Sequence, residues 1–429
     1  MSRIGAALHA LLHPGHAEER ERLEAIARAA RVVESGQREQ LEALRREMDK
    51  LHTRLDRIAT EKKLHAVDRR VEQLSEAAGR QYRVTAQALK HAKWNEEHRV
   101  HERRILARLA KLAASDHPVL VGPWSGEVGF ELLYWIPFVT WALRQARVAP
   151  ERVLVVSRGG AAPWYAHLGG RYVDVLSYVT AEEFRAHTEE AKKQRSMGPF
   201  DRRVARQVLK AEGLTRAHLL HPGLMYRLFN PFWKQQMTVR RVEAFAEHAP
   251  IARPDATRLA GRLPADYVAV RFYFSASFPD TPENRAFVDS VIRSLAETTD
   301  VVLLNTAFNL DDHRDYVPGD RLRIHSVDDL MTPDRNLDVQ TSVIAGARAF
   351  VGTYGGYAYL APLCGVSSLA FYSERDAFFA HHLELADRVF RRLNVGALVP
   401  IDVRTADLLR SVLAPRIVAA DVQAGGPGR

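Results

Sequence analysis

From Glu18 to Leu112 the chain has no proline and only two glycines, Gly36 and Gly79. Glu, Arg, Ala, Leu and Gln dominate this run, so a long helical region is the expected outcome. Between Leu41 and Ile58 the apolar residues are Leu41, Leu44, Met48, Leu51, Leu55 and Ile58, alternating three and four residues apart. That is a heptad seam. Leu64, Val67, Val71 and Leu74 resume it after a break in phase, and Leu23, Ile26, Ala30 and Val33 precede it. So narrow a stripe makes no core by itself and must meet another helix. The seam predicts a parallel coiled coil that joins copies of this chain into a homo-oligomer. A helical hairpin or a lone solvated helix are the alternatives. Because Leu, Met and Ile are mixed along it, dimer and trimer are not distinguished.

The charge follows the same division. The chain of 429 residues carries a formal +9, yet residues 1–111 hold 24 basic and 17 acidic side chains and the remainder 37 and 35. In the first segment Arg and Lys are interleaved with Glu at helical spacing, which favours intrahelical pairs over a continuous basic stripe. A nucleic-acid partner is therefore not expected, since polyanion binding needs a concentrated field. The single cysteine, Cys364, excludes an intrachain disulfide framework. No apolar run reaches the ~18–20 residues of a membrane span. The apolar start, Ile4 to Leu12, is too short for a secretory signal and reads as a frayed helical turn, with a short amphipathic anchor as the alternative. A cytoplasmic location is expected, or one peripheral to a membrane.

Past Ser115-Asp-His-Pro118 strands and helices alternate. Val119–Val121, Val153–Val156 and Tyr172–Tyr178 read as strands, and a connection near Pro250–Pro264 precedes a second series. That series has strands at Tyr267–Arg271, Val301–Asn305, Leu322–His325, Ala349–Gly352 and Ser368–Tyr372. Helices fall at Glu283–Glu297, Val339–Ala345, Ala358–Leu363 and Arg375–Leu393. Repeated βα units imply parallel, doubly wound sheets. The expected organisation is a helical region over 1–114, Rossmann-like α/β domains over 115–255 and 256–415, and a glycine-rich tail over 416–429.

Ligands of such sheets bind beyond the carboxyl ends of the strands. The first strand ends in Gly122-Pro-Trp-Ser-Gly-Glu-Val-Gly-Phe-Glu131, where glycines let backbone amides approach a ligand. Glu127 in this turn is a candidate general base, with Glu131 four residues later as a second; capping of a helix start is the plainer role. Trp124 is placed to stack on a sugar face or to pack in the core. Arg158, at the end of the second strand, could reach an anion. His221, in His221-Pro-Gly-Leu-Met-Tyr226, is a further candidate base or core histidine, with Tyr226 beside it.

The second half carries the more specific pattern. Val268-Ala-Val-Arg271 sets Arg271 at a strand end next to Tyr273, where a buried arginine calls for an anion and its planar fork suits a phosphate. Val351-Gly-Thr-Tyr-Gly-Gly-Tyr357 followed by a helix is a strand, glycine turn and helix. Thr353 and the amides of Gly355 and Gly356, ahead of Tyr357, suit a diphosphate. It is neither a Walker loop nor a spaced GxGxxG. Asn305 and His325, at or beside strand ends, are candidates for the nucleoside. Metal binding is not expected. Asp311-Asp312 and Asp328-Asp329 are adjacent pairs, His9 and His13 lack the glutamate of a zinc helix, and His381-His382 reads as a solvated helix face.

At these residues the chain resembles GT-B-type glycosyltransferases over about Pro118–Val403. The end of the Arg271 strand resembles the phosphate-gripping arginine of the fucosyltransferase-like branch. Gly352-Thr-Tyr-Gly-Gly356 is similar to the donor-diphosphate loop found there and in heptosyltransferases. Glu127 is similar to the carboxylate base of inverting members. Two departures leave the donor open: the double arginine is Arg271-Phe272 here, and the heptosyltransferase Asp-Thr-Gly-Pro is absent. The resemblance implies a metal-independent transferase with no cofactor, a nucleotide-diphosphate sugar as co-substrate, a glycan acceptor and a role in surface-glycan assembly. Another nucleotide-sugar enzyme such as an epimerase, or a non-catalytic scaffold with a degenerate cleft, are the alternatives.

Overall fold

The computed structural model describes residues 24–25, 36, 38–54, 61–190, 193–254, 257–305, 314–315 and 323–405, with backbone alone at 61–64, 87–97, 258 and 314–315. The apolar start, Leu55 and Ile58 of the seam, Asp311-Asp312 and the tail over 416–429 lie outside these residues. By contact the chain divides into two compact units, Met1–Arg104 and Ile105–Arg429.

The first unit is helical over 38–54 and again in the helix Glu61–Ala113, which runs on into the second unit. Its seam residues Leu41, Leu44 and Leu51 are 57%, 45% and 44% exposed. Among the described residues no helix is long and apolar enough to cross a membrane.

The second unit is mixed α/β and holds two wholly parallel sheets. In the first, β1 (Val119–Val121), β2 (Val153–Ser157), β3 (Arg171–Asp174) and β4 (His218–Leu220) are ordered β3-β2-β1-β4. β5 (Tyr267–Arg271) opens the second sheet, and the short β6 (Tyr273–Phe274) leaves it to pair antiparallel with β8 (Arg314–Asp315). With β7 (Asp300–Leu303), β9 (Ile324–Ser326), β10 (Ala349–Thr353), β11 (Ser368–Tyr372) and β12 (Leu398–Asp402), its order is β12-β11-β10-β5-β7-β9. Counted from β5, that is the 3-2-1-4-5-6 order of a doubly wound sheet.

Alternate residues of each strand enter different cores, as sheets covered on both faces require. Val268 and Val270 of β5 pack with Val288 and Ile292 of helix Pro282–Thr298, while Ala269 joins a larger cluster on the other face. In the first sheet Leu120 and Val156 face one cluster and Val119, Val121 and Val155 the other. The larger cluster is continuous from Val119 to Phe390, so the two sheets share one apolar core. Ile105, Leu109 and Leu112 of the long helix enter it too.

Several elements depart from expectation for local reasons. The strand expected to run to Tyr178 stops at Asp174, whose carboxylate accepts the Leu176 N–H at 2.9 Å and starts a 3₁₀ turn, Val175–Ser177. The last long helix begins at Ala380, after Phe379 in extended backbone; Arg375 lies in the preceding loop and pairs with Asp402 at the end of β12, 2.7 Å away. The helical run after β1 passes through a π turn, Glu131–Trp135, before Ile136–Gln145. Pro137 has no N–H to offer the Leu133 carbonyl. The buried His248 supplies it from Nε2 at 3.0 Å.

Candidate functional site

In each sheet the chain order reverses between two adjacent strands, and outside their carboxyl ends lies the place where such sheets bind ligands. In the first sheet these strands are β1 and β4, which lead into Gly122 and His221. In the second they are β5 and β10, where Arg271 is paired in register with Gly352. The two switch points come together. A Cβ on Gly356, at the start of helix Gly356–Leu363, would fall 2.7 Å from the Val128 Cβ and 2.8 Å from the Gly129 nitrogen. Only glycine permits this approach.

The loop from Gly122 to Glu127 is fixed at almost every residue. Gly122 has φ +113, and a Cβ there would lie 2.3 Å from the Val156 carbonyl oxygen. Trp124 is fully buried between Trp135 and Tyr226, a core position, and donates from Nε1 to the Gly126 carbonyl at 3.1 Å. Arg158 donates to the same carbonyl at 2.6 Å and to Glu131 at 2.6 Å. Glu127 sits at the N-cap of helix Val128–Phe130 and is exposed. Tyr226 lies within its field: burial first, and then the Glu127 charge, push the phenol well above its ordinary range, with Arg195 opposing.

The other two candidate bases have structural commitments. Glu131 is fully buried and accepts from Ser157 Oγ, Tyr165 Oη and Arg158 Nη1, each at 2.6 Å. Burial disfavours the Arg158 charge, but Glu131 outweighs it and holds the guanidinium above its ordinary value. His221 is 6% exposed; its Nδ1 accepts from the Gly223 N–H at 3.0 Å, and its Nε2 lies 3.2 Å from Asp201.

At the second switch point Arg271 is 7% exposed, donates to Gln340 Oε1 and lies over the Tyr357 ring at 4.1 Å and the Tyr273 ring at 5.8 Å. The Thr353 hydroxyl is fully buried, donating to the Tyr273 carbonyl at 2.8 Å and accepting from its N–H at 3.0 Å. That exchange fixes β10 against the residues after Arg271. Gly355 packs under the Tyr273 hydroxyl, where a Cβ would clash. Tyr357 also stands in the electrostatic field of Arg158 on the first sheet. Asn305 is buried just past β7. His325 is not brought to this cluster: it is inside β9, 2.7 Å from Asp300 at the amino end of β7.

Spacing gave no sign of Gln340, which takes an Arg271 donor, nor of Gln194 and Asp201 beneath the Glu127 loop. His382 is not on a solvated face: its Nδ1 lies 2.5 Å from the buried Tyr134 hydroxyl. Among the described residues no group of three or more His, Cys, Asp or Glu is placed to hold a metal ion. A hollow of about 200 Å³ lined by Asp329, Thr332, Arg335 and Asp338 adjoins helix Asn336–Gly346, which also carries Gln340.

No family model matches this chain, and no curated protein matches its sequence. Solved structures similar to it are glycosyltransferases. The bacterial iron-containing dodecameric glycosyltransferase TibC from enterotoxigenic E. coli is 13% identical, covering 62% of this chain and 61% of that one, with a TM-score of 0.33. The E. coli ADP-heptose LPS heptosyltransferase II is 14% identical over 65% of this chain and 97% of its own, at 0.35. A family 9 glycosyl transferase from Veillonella parvula is 11% identical over 69% and 89%, also at 0.35. Each is a likeness of fold alone. This chain thus spans about three fifths of the TibC chain's length.

Proposed function

We propose that this chain is a metal-independent glycosyltransferase of GT-B type. It moves a sugar from a nucleotide-diphosphate donor to a hydroxyl of a glycan acceptor, in surface-glycan assembly. The observation that carries this reading is the meeting of the two switch points at Gly129 and Gly356. It sets the exposed carboxylate of Glu127 on one sheet's loop and the arginine fork of Arg271 at the other's.

In the proposed reaction Glu127 takes the proton from the acceptor hydroxyl as its oxygen bonds to the anomeric carbon. The bond from that carbon to the diphosphate breaks, and its electron pair leaves with the nucleotide. Arg271, with the amides of Gly355 and Gly356, stabilises that growing negative charge. The Tyr357 ring braces the guanidinium from one side, a contact of about 0.5–2 kcal/mol. Because Glu131 and His221 are held by buried partners, the base role falls to Glu127, and Glu131 holds the loop through Arg158. Trp124 supports the loop from the core, and Tyr226, expected to meet the acceptor, is 3% exposed and packs with Trp124, Phe130 and Trp233 in that same core. Asn305 borders the nucleoside on the second sheet.

The helical unit is read as the oligomerisation region, its exposed Leu41, Leu44 and Leu51 meeting the same residues of a second copy in a coiled coil. The transferase reading is tested by incubating the full chain with a panel of nucleotide-diphosphate sugars, with and without glycan acceptors. Release of free nucleoside diphosphate only when an acceptor is present is expected. Release without acceptor, or no response to any nucleotide, overturns it.

A further inference from the structure

We propose that Gln194 is a positioning residue for the base loop, clamping it through a buried chain of hydrogen bonds that ends at His221. This rests on the reading of Glu127 as the base. Gln194 is 3% exposed and stands 69 residues from the loop in sequence. Its Oε1 accepts the Ser125 N–H at 2.9 Å, and its Nε2 donates to the Pro123 carbonyl at 3.0 Å. One side chain therefore grips the loop by both a donor and an acceptor, two and four residues before Glu127. The same Nε2 donates to Asp201 Oδ1 at 3.0 Å, which fixes which end of the amide is which.

Asp201 is 1% exposed, and its other oxygen accepts from the Gly198 N–H at 2.8 Å and faces His221 Nε2 at 3.2 Å. His221 Nδ1 accepts from the Gly223 N–H, so its proton is on Nε2 and points at Asp201. Each side-chain nitrogen and oxygen of Gln194, Asp201 and His221 thus has a partner, and such a satisfied buried network holds one geometry. A second tie, Ser125 Oγ to His187 Nε2 at 3.2 Å, holds the same residue from helix Ala181–Glu190, the imidazole lying flat on Phe200. His221 ends a clamp that spans β4 and β1, and its part is to orient Asp201. The amide side chain is required at position 194 because a carboxylate could not donate to Asp201 and an apolar residue could not hold Ser125.

The test is Gln194→Met in the full chain, which keeps the length of the side chain and removes both bonding ends. If the clamp positions Glu127, kcat for acceptor-dependent nucleotide release falls at least tenfold. KM for the nucleotide sugar, set on the other sheet, stays within twofold. A kcat within twofold of the parent, or a loss carried wholly by KM, overturns the proposal. Amide hydrogen exchange over residues 123–131 of the same variant reads the clamp without any turnover. Exchange there at least tenfold faster, with residues 349–363 unchanged, supports it, and unchanged exchange over 123–131 overturns it. A parent chain that shows no turnover with any nucleotide sugar refutes the transferase reading, and the exchange result then decides the clamp alone.

Discussion

Glu127 and Glu131 are four residues apart and chemically alike, and their surroundings give them opposite roles. Glu127 is exposed on a pinned turn, whereas Glu131 is fully buried and bound by three donors. Glu127→Gln is expected to lower kcat by roughly 10²- to 10⁴-fold, the range for a general base, with a melting temperature unchanged in a thermal scan. Glu131→Ala leaves the Arg158 guanidinium buried without its carboxylate, and urea titration should show a loss of about 3–5 kcal/mol. If Glu131→Ala leaves stability intact while Glu127→Gln unfolds the protein, these assignments are reversed. The sequence offered both carboxylates as candidates but could not rank them. Their ranking depends on Ser157, Arg158 and Tyr165, which are 26 to 34 residues away.

At the scale of elements, helix Ala380–Leu393 and the helical run after β1 are joined through His382 and Tyr134, and the π turn is held by His248. Burial lowers His248 to about 4 and His382 to about 3, helped by Arg392 and by His381 and Lys193 respectively. Both fold uncharged, so between these values and the ordinary ~6.5 the unfolded chain binds more protons. Stability from this source is complete above about pH 6.5 and is lost as pH falls toward 4. The slope is up to ~1.4 kcal/mol per pH unit for the buried His248, and smaller for the partly exposed His382. His382→Gln, which keeps an acceptor for Tyr134, should flatten the profile of denaturation free energy between pH 4 and 6.5. An unchanged slope would show that this helix docks without a titrating group.

The same scale shows what the sequence could reveal. Buried parallel strands are short apolar runs, so β1, β5 and β11 were found at the residues where they occur. β4 is only His218–Leu220, too short a run to be expected as a strand, and the Pro400 of β12 hid a strand at the sheet's edge. The strand end at Asp174 was missed because a side chain two residues back, not a glycine or proline, makes the turn. In the candidate cluster, the strand-end position of Arg271 and the turn at Gly355 and Gly356 were legible because strand ends and glycine turns leave a local pattern. Gln194, Asp201 and Gln340 were not, because a partner reached through tertiary folding leaves no spacing to read.

For the whole molecule, the seam predicts assembly. The double variant Leu44→Glu, Leu51→Glu should convert the full chain to a monomer in sedimentation at tens of micromolar while leaving the α/β unit's melting unchanged. A parent chain that already sediments as a monomer would remove the coiled-coil proposal. The charge asymmetry adds nothing to this, since the basic side chains of 1–111 are interleaved with acids. The proposed transfer is placed instead on the second unit, where two sheets share one core and their switch points meet.

If the cluster around Arg271 holds a diphosphate, its planar fork is the group whose loss binding should register. Titration calorimetry of the full chain with nucleoside diphosphates should find one that binds. Arg271→Lys keeps the positive charge but loses the planar fork, and should weaken that binding at least tenfold. The parent, at a ligand concentration of ~100 Kd, should gain about 2.7 kcal/mol of stability, and the variant at the same concentration clearly less. Equal affinity in parent and variant, or no binding of any nucleoside diphosphate by the parent, would contradict the account.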